Sequence, residues 1–255
     1  MIKRAVFLSG VFLLFITASF AQDPTKVAPE AYKMEFENEW VKVTRVHYAP
    51  RVKIPAHDHT EAGAAYVYLN DSGPVIFKHI GLSYGAITRP ETKAGSFRLY
   101  KAVKEVHEVE NPNDTPSDFL RVEFKTAPDP EKPLRGKFYR EAYPAGENFQ
   151  KVYFENGQVR VTRSACATGK VCDLAASADE PLLVVALTPA QFESSTGGVQ
   201  LTLEPGKTRW VATGRKESVK SLGDGHAEFL RFELKAKPAK RGPDEKARPH
   251  AHPHG

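Results

Sequence analysis

The feature that most constrains this chain is a repeat of its own sequence. Residues 34–45 read MEFENEWVKVTR and residues 152–163 read VYFENGQVRVTR, with seven of twelve positions identical at an offset of 118. The register then runs without a gap from Val41–Leu69 to Val159–Leu187. The copies also end alike, FLRVEFK at 119–125 against FLRFELK at 229–235, with five of seven positions identical. Repeats of this length fit two similar domains, not a solenoid of short units.

Each copy reads as strands. Leu120, Val122 and Phe124 alternate with Arg121, Glu123 and Lys125, and Leu230, Phe232 and Leu234 alternate with Arg231 and Glu233. A period of two puts the apolar set on one face of a sheet. Ala64–Leu69 and Leu182–Leu187 are short apolar runs that read as buried strands, and Asn70–Pro74 and Asn111–Asp114 read as turns. With 19 Pro, 18 Gly and little helical periodicity, the chain is predicted to be all-β. Its divisions are a leader at 1–21, a first domain at 30–126, a linker at 127–147, a second domain at 148–236 and a tail at 237–255. The linker, rich in Pro and charge, is predicted to carry one short helix around Gly136–Ala142.

The termini hold the charge. Of the net +5, Lys3 and Arg4 supply two and the tail from Lys235 supplies four, which leaves the body at −1. A nearly neutral body has no electrostatic reason to bind nucleic acid. Lys3 and Arg4, the apolar run Val6–Phe15 and Ser19-Phe20-Ala21 read as a secretory signal, with cleavage expected before Gln22. The mature chain is expected to be exported, periplasmic or secreted, with no integral membrane association after cleavage. In an oxidising compartment Cys166 and Cys172, the two cysteines, can form a bridge or stay as two thiols at strand ends. The tail is low in apolar residues and reads as disordered, basic and His-rich, with His250, His252 and His254 able to take up metal loosely.

Chemistry is signalled by Pro55-Ala56-His57-Asp58-His59. Histidines at i and i+2 on a strand face the same side, so one wall can present two nitrogens to one ion. His107 lies 48 residues beyond His59. Three imidazoles suit Fe, Mn, Ni, Cu or Zn and leave coordination positions open. Asn111 reads as a turn residue, and Tyr66, Tyr68 and Tyr100 as strand aromatics that pack or line an interior. His47, His79 and His226 show no pattern and read as structural.

These residues resemble the two motifs of the cupin superfamily. The first motif has the form G-x5-H-x-H-x3–4-E-x6-G, and His57 and His59 match its histidines. The second has the form G-x5-P-x-G-x2-H-x3-N, and His107 and Asn111 match its histidine and asparagine. The resemblance implies two tandem double-stranded β-helix (jelly-roll) barrels, a bicupin, with a divalent metal ion in the N-terminal barrel. The chain departs from the pattern where the motif glutamate would fall, at Gly63 or Ala64, and where the motif Pro and Gly would fall, at Ala102 and Lys104. Glu61 has the strand parity of His57 and His59 and is a substitute fourth ligand. At the offset of 118, His57 maps to Ala175 and His59 to Ser177, and the counterpart of His107 lies in the histidine-free segment Lys216–Lys220. The second barrel is therefore expected to be a structural partner.

Two functions stay open at this point. One is a small-molecule metalloenzyme, dioxygenase-like, favouring an anionic or chelating ligand. The other is a non-catalytic small-molecule-binding or structural bicupin with vestigial histidines. Pairing of barrels into a homo-oligomer is compatible with both. No phosphate-binding loop, dinucleotide fingerprint or H-E-x-x-H occurs.

Overall fold

A computed structural model of the protein describes residues 23–194, 200–221 and 224–239. The leader at 1–21 and the tail from 240 onward, with its three histidines, lie outside the described residues. A short helix α1 (Pro24–Val27) leads into β1 (Tyr32–Glu37), β2 (Val41–Tyr48), β3 (Lys53–Asp58), β4 (Ala64–Tyr68) and β5 (Val75–His79). There follow β6 (Ala86–Arg89), β7 (Phe97–Tyr100), β8 (Val106–Glu110), β9 (Ser117–Phe124) and β10 (Arg135–Phe138). The second repeat supplies β11 (Phe149–Glu155), β12 (Val159–Cys166), β13 (Val171–Ala175), β14 (Leu182–Ala186) and β15 (Ala190–Ser194). It ends with β16 (Gln200–Leu203), β17 (Thr208–Val211), β18 (Lys216–Lys220) and β19 (Ala227–Leu234). No helix among the described residues is long and apolar enough to cross a membrane.

The strands form four antiparallel sheets, two per repeat. The first repeat has a six-stranded sheet, β1-β2-β9-β4-β7-β10, facing a four-stranded sheet, β3-β8-β5-β6. The second has a five-stranded sheet, β11-β12-β19-β14-β17, facing β13-β18-β15-β16. The segment predicted to hold a short helix at 136–142 holds a strand instead. Gly136 takes a φ of 131°, open to glycine, and Arg135–Phe138 pairs with β7, where Phe138 stacks on Phe97 at 4.6 Å. Residues 237–239, expected as the start of the disordered tail, pair back instead: Ala127 N donates to Lys237 O, and Ala239 N to Lys125 O.

The repeated FEN has a local physical role. In each copy the first strand slips register by one residue, between Met34 and Phe36 and between Val152 and Phe154. Each following asparagine closes the hairpin with its side chain. Asn38 Oδ1 accepts from the backbone N–H of Trp40 and Val41, and Asn156 Oδ1 from those of Gln158 and Val159. These are Asx turns, which asparagine forms readily. The arginine of VTR joins the halves. Arg45 Nη2 donates to Gly206 O at 2.8 Å, and Arg163 Nη2 reciprocates by donating to Gly95 O.

The alternation in β9 resolves into two buried faces. Leu120, Val122 and Phe124 face the second repeat and join Leu230, Phe232 and Leu234 in one core between the large sheets. Phe119, Arg121 and Glu123 face the inside of the first barrel, and Arg121 and Glu123 are only 7% and 3% exposed. Each barrel has its own interior core as well. Tyr48, Ile54, Phe77 and Val109 line the first, and Leu174, Val184, Val219 and Phe229 the second. Cys166 and Cys172 are bridged, with an S–S distance of 2.03 Å, between the end of β12 and the start of β13.

Candidate metal centre

The site is built on the small sheet of the first barrel. Ile54 pairs with Val109 and His57 with His107, so Pro55 and Ala56 oppose the single residue Glu108. This is a β-bulge, and proline is tolerated at such a position because no ladder N–H is needed there. The bulge turns His57 inward. Its ring is fully buried, and its Nδ1 donates to Pro55 O at 2.9 Å. A carbonyl only accepts, so Nε2 carries the lone pair. Tyr32 Oη donates to that nitrogen at 2.9 Å and accepts from Tyr48 Oη at 2.8 Å.

His59 lies just past β3, held by its backbone N–H on Glu105 O at 3.3 Å. Its Nδ1 accepts from Arg121 Nη1, while Arg121 Nη2 lies 3.2 Å from Glu123 Oε1. His107, on β8, is 2% exposed and its two ring nitrogens have no hydrogen-bond partner. The three rings form a near-equilateral triangle, with centroids 4.9, 4.8 and 5.0 Å apart. One nitrogen from each can lie within 4.8 Å of the others.

Burial pushes all three rings below the ordinary histidine value. Desolvation is the largest cause in each case, and Arg121 acts in the same direction. His107 falls to about 2, with His57 and Arg89 the next contributors. The rings are therefore neutral at pH 7, the form in which imidazole binds metal. The donor set fits a divalent ion. His107 is a buried polar ring lacking partners, a rare and costly state that an ion would satisfy. Two features compete with the ion: the hydroxyl on His57 Nε2 and the guanidinium on His59 Nδ1.

Other expectations need correction. Glu61, the proposed fourth ligand, is exposed on a bend beyond β3 and lies outside the cluster. The strand ends at Asp58, so the parity that linked Glu61 to His57 does not extend to it. At Gly63, a place for the motif glutamate, an added Cβ would lie 2.7 Å from Leu134 Cδ1. His79, read as structural, lies in a second cluster with Glu105 and His107. Asn111 is buried and ties Tyr48, Ala49 and Thr115 together through its amide, so it orders the loop after β8. Tyr66 is buried in the first interior, with Tyr68 and Tyr100 packed against it. In the second barrel β13 has no bulge, and Cys172 pairs with Val219 and Leu174 with Glu217. The counterpart of His57 by facing is thus Leu174, not Ala175, and that of His107 is Glu217. Leu174 belongs to the apolar core and Glu217 is paired with Arg209 at 2.6 Å.

Two narrow clefts open in the first barrel, the first of them reaching the triad at His59. One, between α1 and β9, is lined by Thr25, Tyr32, His59, Arg121 and Glu123. Another is lined by Tyr48, Tyr68, Phe77, Arg89 and Phe119.

The chain has the bicupin fold, two jelly-roll barrels in tandem with a candidate metal-binding histidine cluster in the first. Among solved structures it is similar to a cupin 2 conserved barrel domain protein from Leptotrichia buccalis, with a TM-score of 0.54 and 11% identity over 80% of this chain and 88% of that one. It is similar to AerE from Microcystis aeruginosa, with a TM-score of 0.56 and 11% identity over 80% and 97%. It is also similar to a variant of salicylate 1,2-dioxygenase from Pseudoaminobacter salicylatoxidans in complex with gentisate, with a TM-score of 0.54 and 11% identity over 77% and 69%. No family model and no curated protein matches the sequence.

Proposed function

We propose that this chain is an exported bicupin that binds one divalent ion on His57, His59 and His107 and acts on a small anionic molecule at that ion. The observation that carries the reading is His107, buried between two other neutral imidazoles with neither nitrogen hydrogen-bonded. A bound ion would supply Lewis acidity and, if redox-active like ferrous iron, chemistry toward dioxygen. The protein's own part is positioning. Pro55 O orients His57, and the β3–β8 pairing sets His57 against His107. Arg121 and Arg89 are cations flanking the rings and line the two clefts, which suits a carboxylate or enolate ligand. The gentisate held by the salicylate 1,2-dioxygenase relative supports a small organic acid. Export is supported by the basic and apolar leader and by the Cys166–Cys172 bridge, which an oxidising compartment permits.

A second reading, a non-catalytic binder or structural bicupin, is favoured by one observation. Tyr32 Oη and Arg121 Nη1 already occupy His57 Nε2 and His59 Nδ1. Metal content decides between the two. It is measured on the full chain with His250, His252 and His254 changed to alanine, beside the same chain carrying His57→Ala and His107→Ala. At least one equivalent of metal, lost in the variant, together with oxygen uptake on aromatic hydroxy acids or diketones, supports the enzyme. Metal without turnover supports the binder. No stoichiometric metal after reconstitution overturns the metal reading.

A further inference from the structure

Three imidazoles share the inner face of the small sheet. His57 is opposed to His107 across β3–β8, and His79 is opposed to His107 across β5–β8. Directly opposed residues on paired strands project to the same side. The three rings therefore stand in a row over three neighbouring strands, with centroids 4.8 and 5.4 Å apart. Glu105, two residues before His107, closes the far end of the row. Its Oε2 lies 3.7 Å from His107 Nδ1 and 3.9 Å from His79 Nε2.

His79 Nδ1 lies 3.2 Å from Gly85 O, which only accepts, so in the neutral ring Nε2 holds the lone pair. That nitrogen faces the Glu105 carboxylate. The other Glu105 oxygen accepts from Tyr100 Oη at 3.0 Å. The side chains of His79 and Glu105 are 3% and 7% exposed, so little water reaches them. Two ring nitrogens and a carboxylate oxygen thus converge on one small dry corner, the arrangement a bound cation needs.

We propose that His79 Nε2, Glu105 Oε2 and His107 Nδ1 form a second divalent-cation position, adjoining the triad and sharing His107 with it. The proposal rests on the triad reading only through the shared ring. The three ligand atoms lie within 4.8 Å of one another. A first-row ion draws its ligands to roughly 3–3.5 Å from each other, so loading closes the cluster by about 1 Å. Two nitrogens and one carboxylate oxygen suit zinc, copper or nickel better than magnesium or calcium. Both positions fill together when His107 binds through both nitrogens. The ring then gives its remaining N–H proton to solvent, and the resulting anion lies between the two cations. Glu105 adds a second negative charge, against the positive charge of Arg89 and Arg121.

The test is titration of the metal-free full chain, with His250, His252 and His254 changed to alanine, using zinc and copper(II). Equivalents are counted by elemental analysis after gel filtration, and copper coupling is read by electron paramagnetic resonance. Two equivalents are expected in the parent, with copper signals weakened by coupling through the shared ring. His79→Gln and Glu105→Gln should each retain one equivalent and restore an uncoupled copper spectrum. His59→Gln should retain the ion at the new position. One equivalent that His79→Gln and Glu105→Gln leave untouched overturns the second position and leaves the triad standing. One equivalent lost in those variants but kept in His59→Gln supports the new position and overturns the triad. No bound metal in the parent overturns both. Circular dichroism of each variant separates loss of ligand from loss of fold.

Discussion

Arg121 donates a hydrogen bond to His59 Nδ1 inside the first barrel, so a buried cation sits directly on a candidate metal ligand. Its charge is matched by Glu123, whose Oε1 also accepts from Thr60 Oγ1. The pair sets the electrostatic balance of the site. Replacing Arg121 by methionine removes a positive charge and leaves Glu123 negative. Divalent-ion affinity should rise about ten-fold or more, since charges a few ångströms apart in a protein interior interact by several kcal/mol. The metal-free fold should lose about 3–5 kcal/mol, the usual cost of orphaning a buried charge. Calorimetric titration and urea denaturation read the two effects, which have opposite signs. Weaker metal binding in Arg121→Met would show that the guanidinium helps to build the site.

The three rings also set a pH dependence. Unfolded, each histidine titrates near ~6.5; folded, each lies lower because of burial. The unfolded chain therefore takes up more protons below that value. The stability contributed by neutral rings is whole above about pH 6.5 and is lost as pH falls toward the folded values, at about 1.4 kcal/mol per pH unit for each ring. The urea midpoint of the metal-free protein should be clearly lower at pH 5 than at pH 7. Changing His107 to phenylalanine should flatten part of that slope. Equal midpoints at the two pH values would mean that the rings titrate alike in both states.

Tyr32 separates stability from ligation. Its hydroxyl links His57 Nε2 to Tyr48 Oη in a buried chain. Tyr32→Phe leaves two buried polar groups unsatisfied and should cost about 1–3 kcal/mol in the metal-free protein. The same change frees the His57 lone pair, so metal affinity should hold or rise. Loss of both stability and metal binding would show that the hydroxyl orients the ligand in the loaded state.

The disulfide belongs to the other barrel. Cys166 and Cys172 are six residues apart and buried or half-buried beside the second interior core. Replacing both by serine should lower stability by about 2 kcal/mol on the loop-entropy account. Metal content should not change, because the bridge and the histidines lie in different barrels. A dithiol reductant should shift the parent's melting temperature and leave that of the double variant unchanged.

The residues show what a sequence can and cannot disclose here. The repeat reveals two similar barrels because identities such as FEN and VTR perform local tasks, a bulge with an Asx turn and a contact to a turn glycine. His57, His59 and His107 are legible because two lie close in sequence and the third completes a spaced motif. His79 and Glu105 are not, since their place comes from the pairing of β5 with β8 across 28 residues of chain. Arg121 and Glu123 fill the polar half of an alternating strand, the half that usually meets water. In a barrel whose outer face is covered by another sheet, the polar half points inward. Nothing local in β9 distinguishes the two cases. The same limit produced the mapping of His57 onto Ala175. An offset counts residues, whereas facing depends on the bulge at Pro55 and Ala56, which β13 lacks.

The reciprocal reach of Arg45 and Arg163 makes the junction between the halves isologous. Each half offers the other the same arginine, the same turn glycine and the same apolar strand face. Subunits of a two-fold dimer meet in this way, and here the two subunits are fused in one chain. The peptide between β10 and β11 is then a tether and not the source of cohesion. A chain nicked there should remain a single particle. A half produced alone would carry an apolar face whose natural complement is a second copy of itself.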